Sequence, residues 1–160
     1  MERMDKIRNH PLWKESLTQI EKLEADRIFC KHDTVHFLDV ARIAYIEILE
    51  KHLDIPKAWV YAAALLHDIG RHLQYTQGIP HEKAGAELAE VILKDCGFAE
   101  AEWGPILRAI DSHREKGTAQ ADDLAGVIYR ADKASRSCMF CHAAEECNWS
   151  DEKKNLSLSV

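Results

Sequence analysis

Six side chains in this sequence combine the types and the spacing that could bind divalent metals. They are His36 in HFLDVARIA, His67 and Asp68 in LLHDIGR, His81 in PHEKAGAEL, His113 in AIDSHRE and Asp132 in IYRADKASR. Imidazole nitrogens and carboxylate oxygens in this combination suit iron, manganese or zinc. Each residue alone has a plainer reading. His36 could be a hydrogen-bonded core histidine, Asp68 a helix-end residue, His81 a neighbour of a cap, His113 a solvated helix-end cation, and Asp132 a surface partner of Arg136. Together, on separate helical segments, they call for a common centre, and a metal in the core of a bundle supplies one. The segment Trp59 to Leu66 sharpens the point, because it is apolar and runs directly into His67 and Asp68. A carboxylate without a partner there would cost several kcal/mol.

The elements that must position these residues read as helices. Pro11 opens a helix over 11–25. Asp33 or Thr34 caps a second over about 34–53, with Val35, Leu38, Val40, Ile43, Ile46 and Leu49 as a wide apolar stripe. Val40 and Ile43 lie four and seven residues after His36, on its own face, which turns His36 inward. Pro56 starts a helix over about 56–68 that is apolar nearly all round and therefore central, with Gly70 as its stop. Residues 72–80 read as a loop. Further helices fit about 82–95, 100–115 and 121–137. No alternating strand pattern, internal repeat or linker is evident, so one domain is expected over 1–160, with a core of about 26–137.

The order H…HD…H…H…D, with LLHDIG at its centre and ADKAS downstream, resembles the HD-domain superfamily of metal-dependent phosphohydrolases over about residues 26–137. That resemblance implies an all-α HD-domain helical bundle. The added His81 and His113 make it similar to the dinuclear branch, which includes symmetrical diadenosine tetraphosphate hydrolases and cyclic-dinucleotide phosphodiesterases. By that likeness His36, His67, Asp68 and Asp132 hold one metal, and Asp68 bridges to a second held by His81 and His113. Many relatives carry a basic residue near position 39 and a lysine after HDIG. Here these are Asp39 and Arg71. Arg71 keeps a charge that can grip phosphate in bidentate fashion.

The expected chemistry is attack of a metal-activated water on a phosphate ester or anhydride. Asp68, Arg71 and Lys83 are the candidate catalytic residues, with Arg114 and Lys133 as further cations near the substrate and His32 at the rim. The expected substrate is small and nucleotide-like. The alternative is a regulatory metal or redox sensor without turnover.

The tail from 138 to 160 is polar and contains CMFCHAAEEC. Cys138, Cys141 and Cys147 are one thiolate short of a tetrahedral site. Cys30 is the candidate fourth: it lies six residues before His36, and Cys138 lies six after Asp132. If His36 and Asp132 meet on antiparallel helices, both cysteines leave the centre in the same direction. A structural zinc is the first choice for this cluster and an iron–sulfur cluster the second. Cys96 reads as a small buried residue. The last serine-containing residues are expected to fray.

The 160 residues are 46% hydrophobic and 30% charged, with a net charge of −6. The acidic balance argues against a nucleic-acid partner. No apolar run is long enough to span a membrane, and the charged N-terminus lacks the apolar centre of a signal peptide. A cytoplasmic protein is expected. Five cysteines, an odd number, do not form a disulfide framework. The sequence leaves the oligomeric state open.

Overall fold

The computed structural model describes residues 1–157, and its regular structure there is helical. The helices are α1 (Glu2–Asn9), α2 (Pro11–Leu23), α3 (Thr34–Glu50), α4 (Lys57–Leu66), α5 (Arg71–Gln77), α6 (His81–Asp95), α7 (Glu100–Ser112) and α8 (Leu124–Ala134). Short 3-10 turns follow at Lys116–Thr118 and Cys138–Phe140. No described helix is long and apolar enough to cross a membrane.

α4 is the central element, as its all-round apolar character requires. It packs against α1, α3, α6, α7 and α8, and Val60, Ala62, Ala63, Ala64 and Leu66 are fully buried. Its alanines let neighbouring helices approach closely, and the bulk comes from Phe37, Ile92, Ile106, Ile110 and Ile128. Each such side chain contributes about 1.5–3 kcal/mol by leaving water. The indole N–H of Trp13 on α2 donates to the Leu65 carbonyl at 2.8 Å. It thereby satisfies one of the carbonyls that the end of α4 leaves without a helical partner.

Several expectations are corrected here. The stripe on α3 is not the one read from the large apolar residues: Val35, Ile46 and Leu49 are exposed, whereas His36, Phe37, Val40, Ala41, Ala44 and Ile48 are buried. The buried face uses small residues because α4 and α8 both press against α3. The stretch 72–80 is not a loop, since α5 occupies most of it. α5 buries none of its residues, so no apolar periodicity announces it. Its stop is Gly78, in the left-handed region at φ 73°, whose N–H bonds the Gln74 carbonyl. Gly70 sits at φ −75° and is not a left-handed stop. A Cβ there would lie 2.3 Å from the His81 carbonyl oxygen and 2.4 Å from the Gly85 nitrogen, so the residue is glycine because the backbone of α6 passes against it. α1 was not anticipated; it docks through Met4 and Ile7.

The caps agree with the sequence where polar side chains announce them. Asp33 accepts the His36 N–H at 3.0 Å, and Asp123 accepts the Gly126 N–H at 3.0 Å, starting α8 at Leu124 rather than near 121. The described part of the tail, 138–157, folds back through Asn155. Its carbonyl accepts the Met139 N–H at 3.1 Å, and its side-chain amide donates to the Arg136 carbonyl at 2.8 Å. The last residues expected to fray, 158–160, lie outside the described residues.

The close approach at Gly70 generates a paired prediction. Gly70→Ala should destabilise the fold by about 2 kcal/mol or more, because two backbones must part. Gly104→Ala, inside α7 with nothing within 4 Å of the added methyl, should stabilise by about 0.5–1 kcal/mol. Urea denaturation of the two variants against the parent measures both.

Candidate metal centre

The bundle brings all six sequence-selected metal ligands together. His36 comes from the first turn of α3, His67 and Asp68 from the turn after α4, His81 from the start of α6, His113 from the end of α7, and Asp132 from α8. His67, Asp68, His81 and His113 are at most 1% exposed. The ligand atoms fall into two sets, each within 4.8 Å: His36, His67, Asp68 and Asp132, and then Asp68, His81 and His113.

Asp68 joins the sets through its two oxygens. Oδ2 lies 3.0 Å from His67 Nε2 and 3.3 Å from His36 Nε2. Oδ1 lies 3.1 Å from His81 Nε2 and 3.6 Å from His113 Nε2. Asp132 Oδ1 completes the first set, 3.5 Å from His36 Nε2 and 3.8 Å from His67 Nε2.

The outer nitrogens of the four imidazoles are fixed by their partners. Nδ1 of His67 donates to the Ala64 carbonyl at 2.8 Å, and Nδ1 of His113 to the Ile110 carbonyl at 2.6 Å. Nδ1 of His81 donates to Gln74 Oε1, which also accepts the His81 backbone N–H. Nδ1 of His36 donates to Ser135 Oγ at 3.1 Å, and that hydroxyl donates to the Asp132 carbonyl at 2.7 Å. A neutral ring protonated on Nδ1 presents a lone pair on Nε2. The Nε2 atoms of His36 and His67 nevertheless stand 3.3 Å apart, and those of His81 and His113 3.1 Å apart. A proton or a cation must stand between the two nitrogens of each pair, and the carboxylate beside them favours that positive charge.

The titration directions of the centre divide. Burial would push the His67 imidazole down, but the Asp68 and Asp132 carboxylates hold it up at about 9. Burial would raise Asp68, yet the charges of Arg71, His67 and His32 keep it well below the usual carboxylate range. Burial would also raise Asp132, and the bond from His67 and the charge of Lys133 keep it low. His36 and His81 are pushed down by burial, which favours the neutral form a metal needs. Asp68 Oδ2 is buried with no hydrogen-bond partner, an arrangement that costs about 1–3 kcal/mol unless something coordinates it. Two imidazoles held toward the neutral form, two carboxylates held in the ionised form and one orphaned oxygen fit divalent cations.

The cations expected around the site divide. Arg71 donates Nε to Asp68 Oδ1 at 3.0 Å and lines a cavity beside the centre. Lys133 donates to the His113 carbonyl and to Asp132 Oδ2, at 2.9 and 3.0 Å. Arg114 lines the cavity and pairs with Glu82 at 3.4 Å. Lys83 is a correction: its ammonium is exposed, pairs with Asp111 at 2.7 Å and does not line the cavity. Two residues after an inward His81, the helix turns it away from the centre. Asp39 is likewise outside, paired with Arg42 at 3.3 Å.

Other residues have a larger part than the sequence suggested. Arg136 places Nη2 3.0 Å from His36 Nε2. His32 is buried beyond the rim, with Nε2 3.9 Å from Asp68 Oδ2 and Nδ1 2.6 Å from Glu24. Burial pushes His32 down to about 4. Its i,i+4 spacing from His36 was the available signal. Gln74 had none, since it sits in the stretch read as a loop. The four cysteines Cys30, Cys138, Cys141 and Cys147 line the same cavity but belong to neither set of closely grouped ligand atoms. Cys96 is buried, as expected.

Comparison with known proteins agrees with this arrangement. The HD domain family model matches residues 34–137. An uncharacterized protein of Clostridium beijerinckii is 44% identical over 158 residues, covering 99% of both chains. Ribonuclease Y of Mycoplasma mycoides is 29% identical over 118 residues, 74% of this chain and 25% of that protein. Ribonuclease Y of Mesoplasma florum is 28% identical over 134 residues. The chain thus spans about a quarter of the length of those ribonucleases. A crystal structure of a predicted HD superfamily hydrolase from an uncultured Thermotogales bacterium superposes with a TM-score of 0.63. The two are 22% identical, and the match covers 89% of this chain and 81% of the other.

The outer-nitrogen contacts yield a test that needs no substrate. Gln74→Ala leaves every ligand in place but frees the His81 ring, and should weaken metal affinity about 10–100-fold. Asp68→Asn should abolish binding. Isothermal titration with manganese measures both.

Proposed function

This chain belongs to the HD domain family, and on that premise we propose that it is a metal-dependent phosphohydrolase acting on a phosphate ester or anhydride of a small, nucleotide-like substrate. The observation that carries the reading is Asp68, whose two buried oxygens each face a pair of imidazole nitrogens. The proposal includes two cations, one in each ligand set, with Asp68 shared. Divalent cations bound there supply an activated water and neutralise charge on the phosphoryl oxygens.

The protein's own groups do the rest. Arg71 donates to Asp68 and Arg136 lies beside His36, and both line the cavity. Their remaining N–H groups are candidates for phosphoryl oxygens, which guanidinium forks match well. The cavity measures about 670 Å³, within the range of small-molecule sites. Arg27, Arg114, Lys116 and Lys133 also line it, and among the described residues Asp132 is its only carboxylate. A chain of net charge −6 therefore presents a locally positive pocket, which raises the local concentration of an anionic substrate. Phe29, Tyr129 and Trp149 on the same walls offer ring faces for a base.

A second reading, cleavage of a phosphodiester in RNA, is favoured by the ribonuclease relatives alone. The acidic balance and the pocket size favour the small substrate.

The reading is tested with a panel of nucleoside phosphates, dinucleoside polyphosphates and short RNA, with manganese, iron(II) or zinc. A small phosphate compound should turn over. Asp68→Ala should lower kcat/KM by at least about 100-fold, the upper end of the cost of losing an outer-sphere partner. Lys83→Ala should leave it unchanged. Failure of the whole panel with every metal, in protein shown to be metal-loaded, would favour the regulatory sensor.

A further inference from the structure

The histidine–aspartate centre does not use the cysteines, and they have a geometry of their own. Cys30 lies between α2 and α3. Cys138 and Cys141 sit at and just after the 3-10 turn that follows α8, and Cys147 comes from the tail. These three stretches converge on the wall of one cavity, and all four thiols are free. Two arginines fasten the convergence. Arg27 Nε donates to the Cys30 carbonyl at 3.0 Å, and Arg136 Nη1 donates to the Lys31 carbonyl at 2.9 Å. The loop before α3 is thereby tied to the end of α8.

The tail that carries three of the cysteines has little else to hold it. Beyond the turn at Cys138–Phe140 its described part is irregular, and within 138–157 only Cys138 and Ala143 are buried among apolar residues. A segment that buries so little apolar surface needs a cross-link or a metal to stay folded. Four convergent cysteines from three stretches of chain provide the ligands for one.

Two further observations decide which. Zinc bonded to sulfur at 2.3 Å in a tetrahedron holds its thiolates about 3.8 Å apart. Among the described residues, the sets with three or more ligand atoms within 4.8 Å of one another are the two histidine–aspartate sets, and the cysteines are in neither. No three of their sulfurs lie as close together as a single zinc ion would hold them. A four-iron cluster takes its four thiolates on separate iron corners and so accepts a wider spacing. Four thiolates also need positive surroundings, and Arg27, Arg136, Lys153 and Lys154 line the same cavity.

We propose that Cys30, Cys138, Cys141 and Cys147 ligate an iron–sulfur cluster on the wall of the active-site cavity, pinning the C-terminal tail to the end of α8. The cluster is structural, and the assignment does not depend on the hydrolase reading.

The test uses the full chain purified without oxygen and analysed for iron, zinc and acid-labile sulfide. The histidine–aspartate centre binds no sulfide, so sulfide reports the cysteine site alone. The account expects iron with stoichiometric sulfide and broad visible absorption. The sulfide and the absorption should be lost in Cys141→Ser and in Cys147→Ser, and retained in Asp68→Asn. Iron K-edge absorption of the unaltered protein should show iron–sulfur and iron–iron scattering, which keeps the test decisive if the serine variants do not fold. Zinc without sulfide, a disulfide among these residues, or five alkylatable thiols in the reconstituted protein would each overturn the assignment.

Discussion

Everything in this structure turns on one buried carboxylate. Asp68 lies in the middle of an apolar bundle with one oxygen facing His36 and His67 and the other facing His81 and His113. Such a group is tolerable only as the shared ligand of positive charge. Arg71 supplies part of that charge and the His67 proton another part, yet Oδ2 still lacks a hydrogen-bond partner. The mutually facing Nε2 atoms make the same demand. The proposal of cations at this point explains the orphaned oxygen and the imidazole pairs with one cause.

The fold serves that demand by bringing its ligands from the ends of different helices. α4 stops at Leu66, so that His67 and Asp68 sit in a turn, and the Trp13 indole takes up a carbonyl of that helix end. Gly70 then lets the chain pass against the start of α6, which sets His81 opposite Asp68. Carbonyls of the turns preceding His67 and His113 fix those rings from behind, as does Gln74 for His81. An arrangement of this kind holds its donors ready before any ion arrives.

How much of this was legible in the sequence depended on what kind of signal each feature leaves. The grouping of the six candidate ligands was legible because type, order and helical spacing coincide. Asp33 was legible because an N-cap side chain is a local device. The helix α5 was not, because a seven-residue helix that buries nothing has no periodicity to read. The buried face of α3 was misread because close helix contact selects Ala41 and Ala44 over Val35 and Leu49. The same long-range approach explains Gly70, whose reason lies in α6 and not in its own turn. Lys83 is near His81 in sequence but not in space, because residues two apart on a helix point to different faces. Cys30 and the tail cysteines, six residues from His36 and from Asp132 at their nearest, do line one cavity.

Two groups of candidate ligands thus border one pocket: oxygen and nitrogen atoms in the bundle, and the sulfurs of Cys30, Cys138, Cys141 and Cys147. The first is the one on which the account stands. Anomalous diffraction at the manganese edge, from crystals of manganese-loaded protein, tests it most directly. The account predicts a peak beside each oxygen of Asp68, one among His36, His67 and Asp132 and the other between His81 and His113. Fully loaded crystals with no peak at either position, and with protons alone between the imidazoles and the carboxylate, would contradict it.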